Sequence, residues 1–169
     1  MIKQKRFDEI CSQFKTKKVL IYGDLILDRY IFGNVTRISP EAPVPVVQIK
    51  EEECRLGGAG NVSANITKMG ATTLLLGIVG KDIYSREIFQ LIEKNNLIFA
   101  TEQNNSLVKT RVISQRQQIV RIDRESNINI TPDIEKQMKK SLENIKIDGI
   151  IVSDYAKGTV TRTILDLLK

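Results

Sequence analysis

The sequence predicts an α/β protein: a parallel sheet carrying helices, with a small β flap lying outside it. Short continuous apolar runs end at glycine or an acidic residue, stretches with helical spacing separate them, and two further segments alternate with period two between turn residues. A chain of 169 residues is long enough to bury one core and suggests a single domain.

After a basic leader, VLIY (residues 19–22) is an unbroken apolar run closed by Gly23, as expected of a strand buried on both faces. Residues 30–53 alternate β-branched side chains and contain Pro40, Pro43 and Pro45. Proline removes a ladder donor, so edge strands or a flap are expected there. Val62, Ile66 and Met69 then form one apolar stripe at helical spacing, closed by Gly70. TTLLLGIVG (72–80) reads as a second buried strand, and residues 85–96 as a helix capped by Ser85 with Glu87 near its start. Residues 107–122 alternate on both sides of a polar middle, the pattern of a hairpin. Thr131, Pro132 and the acids that follow are helix-start signals in the right order. DGIIVSDYAKG supplies a third buried strand, and TRTILDLLK begins another helix. Strands alternating with helices imply right-handed βαβ units. The chain stops inside what reads as a crossover helix, so a continuation beyond Lys169 is expected.

Composition narrows the function. Histidine is absent, which excludes His-based triads and leaves acid–base work to carboxylates, lysines or tyrosines. Cys11 and Cys54 lack metal-ligand spacing and are expected to be free thiols. The net charge is +6, yet there is no tryptophan and no nucleic-acid-binding motif, so no nucleic-acid partner is expected. No apolar run approaches the roughly 18–20 residues that span a bilayer, and no secretory leader is recognisable. A cytoplasmic protein without a membrane partner is expected.

In open parallel sheets ligands bind beyond the carboxyl ends of the strands. GDLILD, GKD and SDYAKG fall there, which makes Asp28 and Asp154 candidates to accept hydrogen bonds from substrate hydroxyls, or simply loop carboxylates that cap helices. RLGGAGNVSANI (55–66) opens a helix. Gly57 and Gly58 allow close approach of backbone to ligand, and Asn61 and Asn65 share one helix face, a combination that suits a polyhydroxylated ligand. The Lys-Ser/Thr ending of a Walker loop and the third glycine of a dinucleotide fingerprint are both missing, although a tight strand-to-helix turn explains the glycines equally well. In the hairpin Lys109 and Arg111 point to one face, as do Arg121 and Asp123 on the returning strand. Three cations there would surround a phosphate-sized anion, or else form a charged edge that discourages aggregation.

These segments, in this order, resemble the ribokinase-like, or PfkB, sugar kinases. TRISPEAPVPVV, SQRQQIVRID and SDYAKG sharpen the resemblance to the heptose 7-phosphate kinases of that family, from about residue 17 to the end. The resemblance implies a three-layer α/β/α kinase domain with lid strands at about 29–53 and 107–124, of which residues 1–169 form the N-terminal part. It implies ATP-dependent phosphorylation of D-glycero-β-D-manno-heptose 7-phosphate at O1, on the route to ADP-heptose for lipopolysaccharide. By motif, Asp28, Gly57, Gly58 and Asn61 surround the sugar, and Asp154 lies near the reacting end. Lys109, Arg111 and Arg121 are candidates for the 7-phosphate, and Arg37 in the flap is a further substrate-binding candidate. The family's Asn-x-x-Glu and Gly-Ala-Gly-Asp motifs do not occur here. No catalytic residue is therefore assigned to this chain, its metal ligands stay unassigned, and the chain alone is expected to be inactive. ATP and Mg²⁺ belong to the complete kinase, and most of the ATP site is expected elsewhere. A homodimer through the flap is expected. Another PfkB sugar kinase, or a non-catalytic sugar-phosphate-binding module, are the alternatives.

Overall fold

The computed structural model describes residues 3–92, 97–101, 105–125 and 127–168. In chain order the elements are α1 (Gln4–Gln13), a 3-10 turn (Phe14–Thr16), β1 (Lys18–Gly23), β2 (Leu25–Ile38), β3 (Pro45–Gly58), α2 (Ala59–Lys68), β4 (Thr72–Gly80), α3 (Ile83–Leu91), β5 (Leu97–Thr101), β6 (Leu107–Ser114), β7 (Gln117–Arg124), α4 (Pro132–Leu142), β8 (Gly149–Ser153) and α5 (Arg162–Leu167). They build two four-stranded sheets, one in the order β5-β4-β1-β8 and the other β3-β2-β6-β7.

The first sheet is parallel throughout, and its central strands are the predicted apolar runs. Leu20, Tyr22, Leu74, Leu76 and Ile78 pack on Met138 of α4 and Ile164 of α5. Ile21, Leu75 and Val79 face the other way, toward Ala59 of α2 and Ile88 of α3. A strand with a helical layer on each face has no polar face to show, so its sequence is apolar without alternation.

The second sheet is mixed. β2 pairs antiparallel with β3 and parallel with β6, and β6 pairs antiparallel with β7. The proline-containing stretch lies outside the parallel sheet, as expected from sequence, and β3 is an edge strand; β2, however, lies inside this second sheet. Pro40 and Pro43 sit in the connection between β2 and β3, and Pro45 opens β3, where no interior ladder bond is lost. The predicted hairpin is β6–β7, turned by Gln115 and Arg116 in left-handed conformation, with φ of 49° and 66°.

Other local expectations change. Met69 is 53% exposed, so the apolar stripe of α2 ends at Ile66; Met69 is already the C-cap. The cap of α3 is Asp82, whose Oδ1 accepts from the amides of Tyr84 and Ser85 at 3.1 and 3.0 Å. Ser85 is helical and donates its hydroxyl to the Asp82 carbonyl at 2.7 Å. The end of this predicted helix, residues 93–96, lies outside the described residues. β8 was expected to be buried, but it borders the sheet and leaves Ile150 and Val152 36% and 43% exposed. α1 and β5 correspond to no element read from the sequence. Thr131 caps α4 as predicted, its hydroxyl accepting from the Ile134 amide at 3.3 Å.

Candidate functional site

β1 passes into β2 through one residue, Asp24. It is fully buried, and its backbone and side chain tie three parts of the molecule together. Its amide donates to the Ser153 carbonyl at 3.1 Å, and its carbonyl accepts from the Ala59 amide at 2.9 Å. Its carboxylate accepts from the amides of Tyr155 (2.8 Å), Lys157 (3.3 Å) and Thr159 (3.2 Å). A carboxylate buried this way is stabilised by the convergent N–H groups, and it fixes the loop after β8 against the start of α2.

The glycines fit around this centre. Gly58 has φ +54°, and a Cβ there would lie 2.2 Å from the Asp24 carbonyl oxygen. Only glycine meets both conditions without strain. A Cβ on Gly57 would stand 2.5 Å from Asp28 Oδ2, so the missing side chain makes room for a carboxylate rather than for the turn alone. Asn61 and Asn65 follow as exposed residues of α2.

The Asp28 carboxylate is held from the other side. Arg111 Nη1 donates to Asp28 Oδ1 at 2.5 Å, and this bond raises the arginine pKa further. The Arg111 guanidinium lies 5.4 Å from the Tyr30 ring centroid, and Arg55 lies 5.3 Å from the same ring, within cation–π range. Pairing explains the meeting: Asp28 stands beside Lys109 and Tyr30 beside Arg111 in the β2–β6 register.

Lys109, Arg111 and Arg121 do share one face, with Arg111 directly opposite Arg121 and Lys109 opposite Asp123. Each, however, carries a carboxylate partner. Arg111 holds Asp28, Arg121 holds Asp123 at 2.9 Å, and Lys109 stands 3.4 Å from Glu125. The cations therefore stand in an alternating charge network, each paired with a carboxylate. Lys157 completes it, donating to Glu125 at 2.7 Å, and this contact is the main reason the Glu125 carboxyl is held below the usual range.

Two predicted residues stand apart from this cluster. Asp154 follows β8 and is exposed, with Oδ1 accepting from the Ala156 amide of its own turn at 2.7 Å. Arg37 is exposed toward the far end of β2, paired with Val46, nine residues along the strand from Asp28 and beyond two irregularities in its pairing with β3. Asp24, Tyr30, Glu125 and Lys157 were not among the residues singled out from the sequence. Asp24 had a readable signal, an acid directly after a buried strand, and Lys157 lies in the SDYAKG segment. Glu125 had none, since its partners come from other strands and loops. Among the described residues no group of three histidines, cysteines or acids is placed to hold a metal ion, so no step through Mg²⁺ is assigned to this chain.

The glycine turn that closes β3 and opens α2 and the charged strands β2, β6 and β7 thus belong to one sheet. The family model described as pfkB family carbohydrate kinase matches residues 16–169, and the chain belongs to that family. Among curated relatives, the bifunctional protein HldE of Histophilus somni is 41% identical over 154 residues, covering 88% of this chain and 32% of that protein. HldE of Helicobacter pylori strain J99 is 40% identical over 161 residues, covering 89% and 35%. The chain thus spans about a third of the length of these relatives. Among solved structures, phosphofructokinase-2 from Escherichia coli in complex with substrates and products superposes with a TM-score of 0.63 at 15% identity, over 90% of this chain and 49% of that one. Ribokinase from Arabidopsis thaliana complexed with ribose and ATP gives a TM-score of 0.52 at 14% identity, over 74% and 43%. These two share the fold.

Proposed function

We propose that this chain is the sugar-phosphate-binding, lid-bearing part of a kinase that phosphorylates D-glycero-β-D-manno-heptose 7-phosphate at O1, with ATP as donor and Mg²⁺ as its counter-ion, in the making of ADP-heptose for lipopolysaccharide. The observation that carries the reading is the meeting of Asp28, Gly57 and Arg111 beside the start of α2, in a chain about 40% identical to HldE proteins. Asp28 and Asn61 bind sugar hydroxyls, and the Gly57–Gly58 backbone lets the ring approach. Lys109, Arg111 and Arg121 face the 7-phosphate. Asp154 lies toward the reacting end, and Arg37 at the lid tip is left to contacts beyond this cluster.

Phosphoryl transfer depends on positioning and on neutralising the transferred charge. The residues named here bind and orient, and none of them is assigned as the base. Exposed Ile38, Val44 and Ile49 on the lid strands and their connection support pairing of two copies through the lid. No helix among the described residues is long and apolar enough to cross a membrane, and a sugar phosphate and ATP as substrates support a cytoplasmic site of action.

Calorimetric titration of the chain with heptose 7-phosphate and with ATP tests the reading. Binding of the phosphosugar without ATP turnover is the expected result. Failure to bind the phosphosugar would overturn it.

A further inference from the structure

We propose that Lys109 and Lys157 form the seat of the substrate phosphate, and that Glu125 is a resident competitor whose carboxylate must give up both lysines when the phosphate arrives. The proposal takes the lid face as a phosphosugar site, as above, and adds two residues and a direction of effect. Lys109 Nζ lies 3.4 Å from one Glu125 oxygen, and Lys157 Nζ lies 2.7 Å from the other. Two ammonium groups from separate parts of the chain thus meet one carboxylate, next to Asp28 through the β2–β6 register.

Neither lysine depends on Glu125 for its place. Lys109 is a ladder residue between β2 and β7. The backbone of Lys157 is held by the Asp24 carboxylate at its amide (3.3 Å) and by the Ile128 amide at its carbonyl (2.6 Å). Glu125, by contrast, follows Arg124, the last residue of β7, and has no ladder partner of its own. The least tethered member of the cluster is therefore the one with the negative charge.

A phosphate monoester brings nearly two negative charges and three acceptor oxygens, enough for both lysines at once. Glu125 brings one charge. The two anions repel each other over the same cations, so the phosphate binds by exchange. The exchange also confers selectivity, because a singly charged sugar acid gains less from the pair than a phosphate does and is held off by the resident carboxylate.

Glu125→Gln decides the matter. Removing the competing charge is expected to tighten heptose 7-phosphate binding by roughly fivefold and to leave unphosphorylated heptose unchanged, while Lys157→Ala weakens only the phosphorylated sugar. Unchanged or weaker binding of the phosphorylated sugar by Glu125→Gln would overturn the proposal. Inorganic phosphate separates this from failure of the functional reading. If the wild-type chain ignores heptose 7-phosphate, tighter phosphate binding by Glu125→Gln still supports the lysine seat, and no tightening sinks it. Circular dichroism checks folding; if Glu125→Gln is unfolded, Glu125→Asp, one methylene shorter, is expected to tighten binding in the same sense, and its failure to do so counts against the proposal.

Discussion

Asp24 and Arg111 show how one residue can decide the site. Asp24 is buried among three backbone N–H groups, and Asn in its place would turn an NH₂ toward donors that need an acceptor. Asp24→Asn is expected to cost at least about 2 kcal/mol of stability, measured by chemical denaturation; a loss well under 1 kcal/mol would mean that the loop does not depend on the carboxylate. Arg111 clamps Asp28 and stands opposite Arg121 in the β6–β7 register. Arg111→Ala is therefore expected to weaken unphosphorylated heptose as well as its 7-phosphate in calorimetry. A loss confined to the phosphorylated sugar would show that Asp28 keeps its place without the clamp.

At the scale of the element, α3 is set by its cap. The Asp82 carboxyl is raised by partial burial, but the Ser106 amide and hydroxyl, with the Ser85 and Tyr84 amides, outweigh this and hold it below its ordinary value. A depressed carboxyl stabilises the fold fully above its unfolded value, and the gain disappears as pH falls through the lower folded one. Asp82→Ala is expected to cost about 1 kcal/mol at neutral pH, with the gap to wild type narrowing below about pH 4. Thermal melts of both proteins across that range check the sign; a gap that widens in acid would contradict it. Because Asp82 also binds Ser106, just before β6, the same cap steadies the strand that carries Lys109 and Arg111.

For the molecule as a whole, the two sheets differ in how they are held. Leu25 and Leu27 at the base of β2 share the core of the parallel sheet, whereas Ile38 near the tip is 61% exposed and every residue of β7 is exposed. Local opening costs least where little apolar surface is buried. Hydrogen exchange is expected to be slowest in β1 and β4, intermediate at the base of β2, and fastest in β7 and the connection at residues 39–44. Equal protection of β7 and β1 would contradict this gradient. The arrangement suits the proposed work: the base of the second sheet is anchored by Asp24 and the glycine turn, and its outer strand β7 is exposed along its length.

How far the sequence was legible follows from the range of each interaction. Unbroken apolar runs predicted β1 and β4, helical spacing predicted α2, and Thr131 with Pro132 predicted the start of α4, because these signals lie within a few residues of one another. The glycine pair was recognised, but its reason was not, since the atoms it avoids belong to Asp24 and Asp28. β5 and the edge position of β8 depend on strand order, which no local pattern records. The charge network was the least visible: Arg111 meets Asp28 across 83 residues, and Asp24 meets Thr159 across 135. By itself the sequence determined the family, the helices α2 to α5 and the central strands, through local periodicity and motif. Only the tertiary structure decided which carboxylate each cation faces, because register across separate strands sets those distances and electrostatic pairing acts over a few ångströms of space, whatever the separation along the chain.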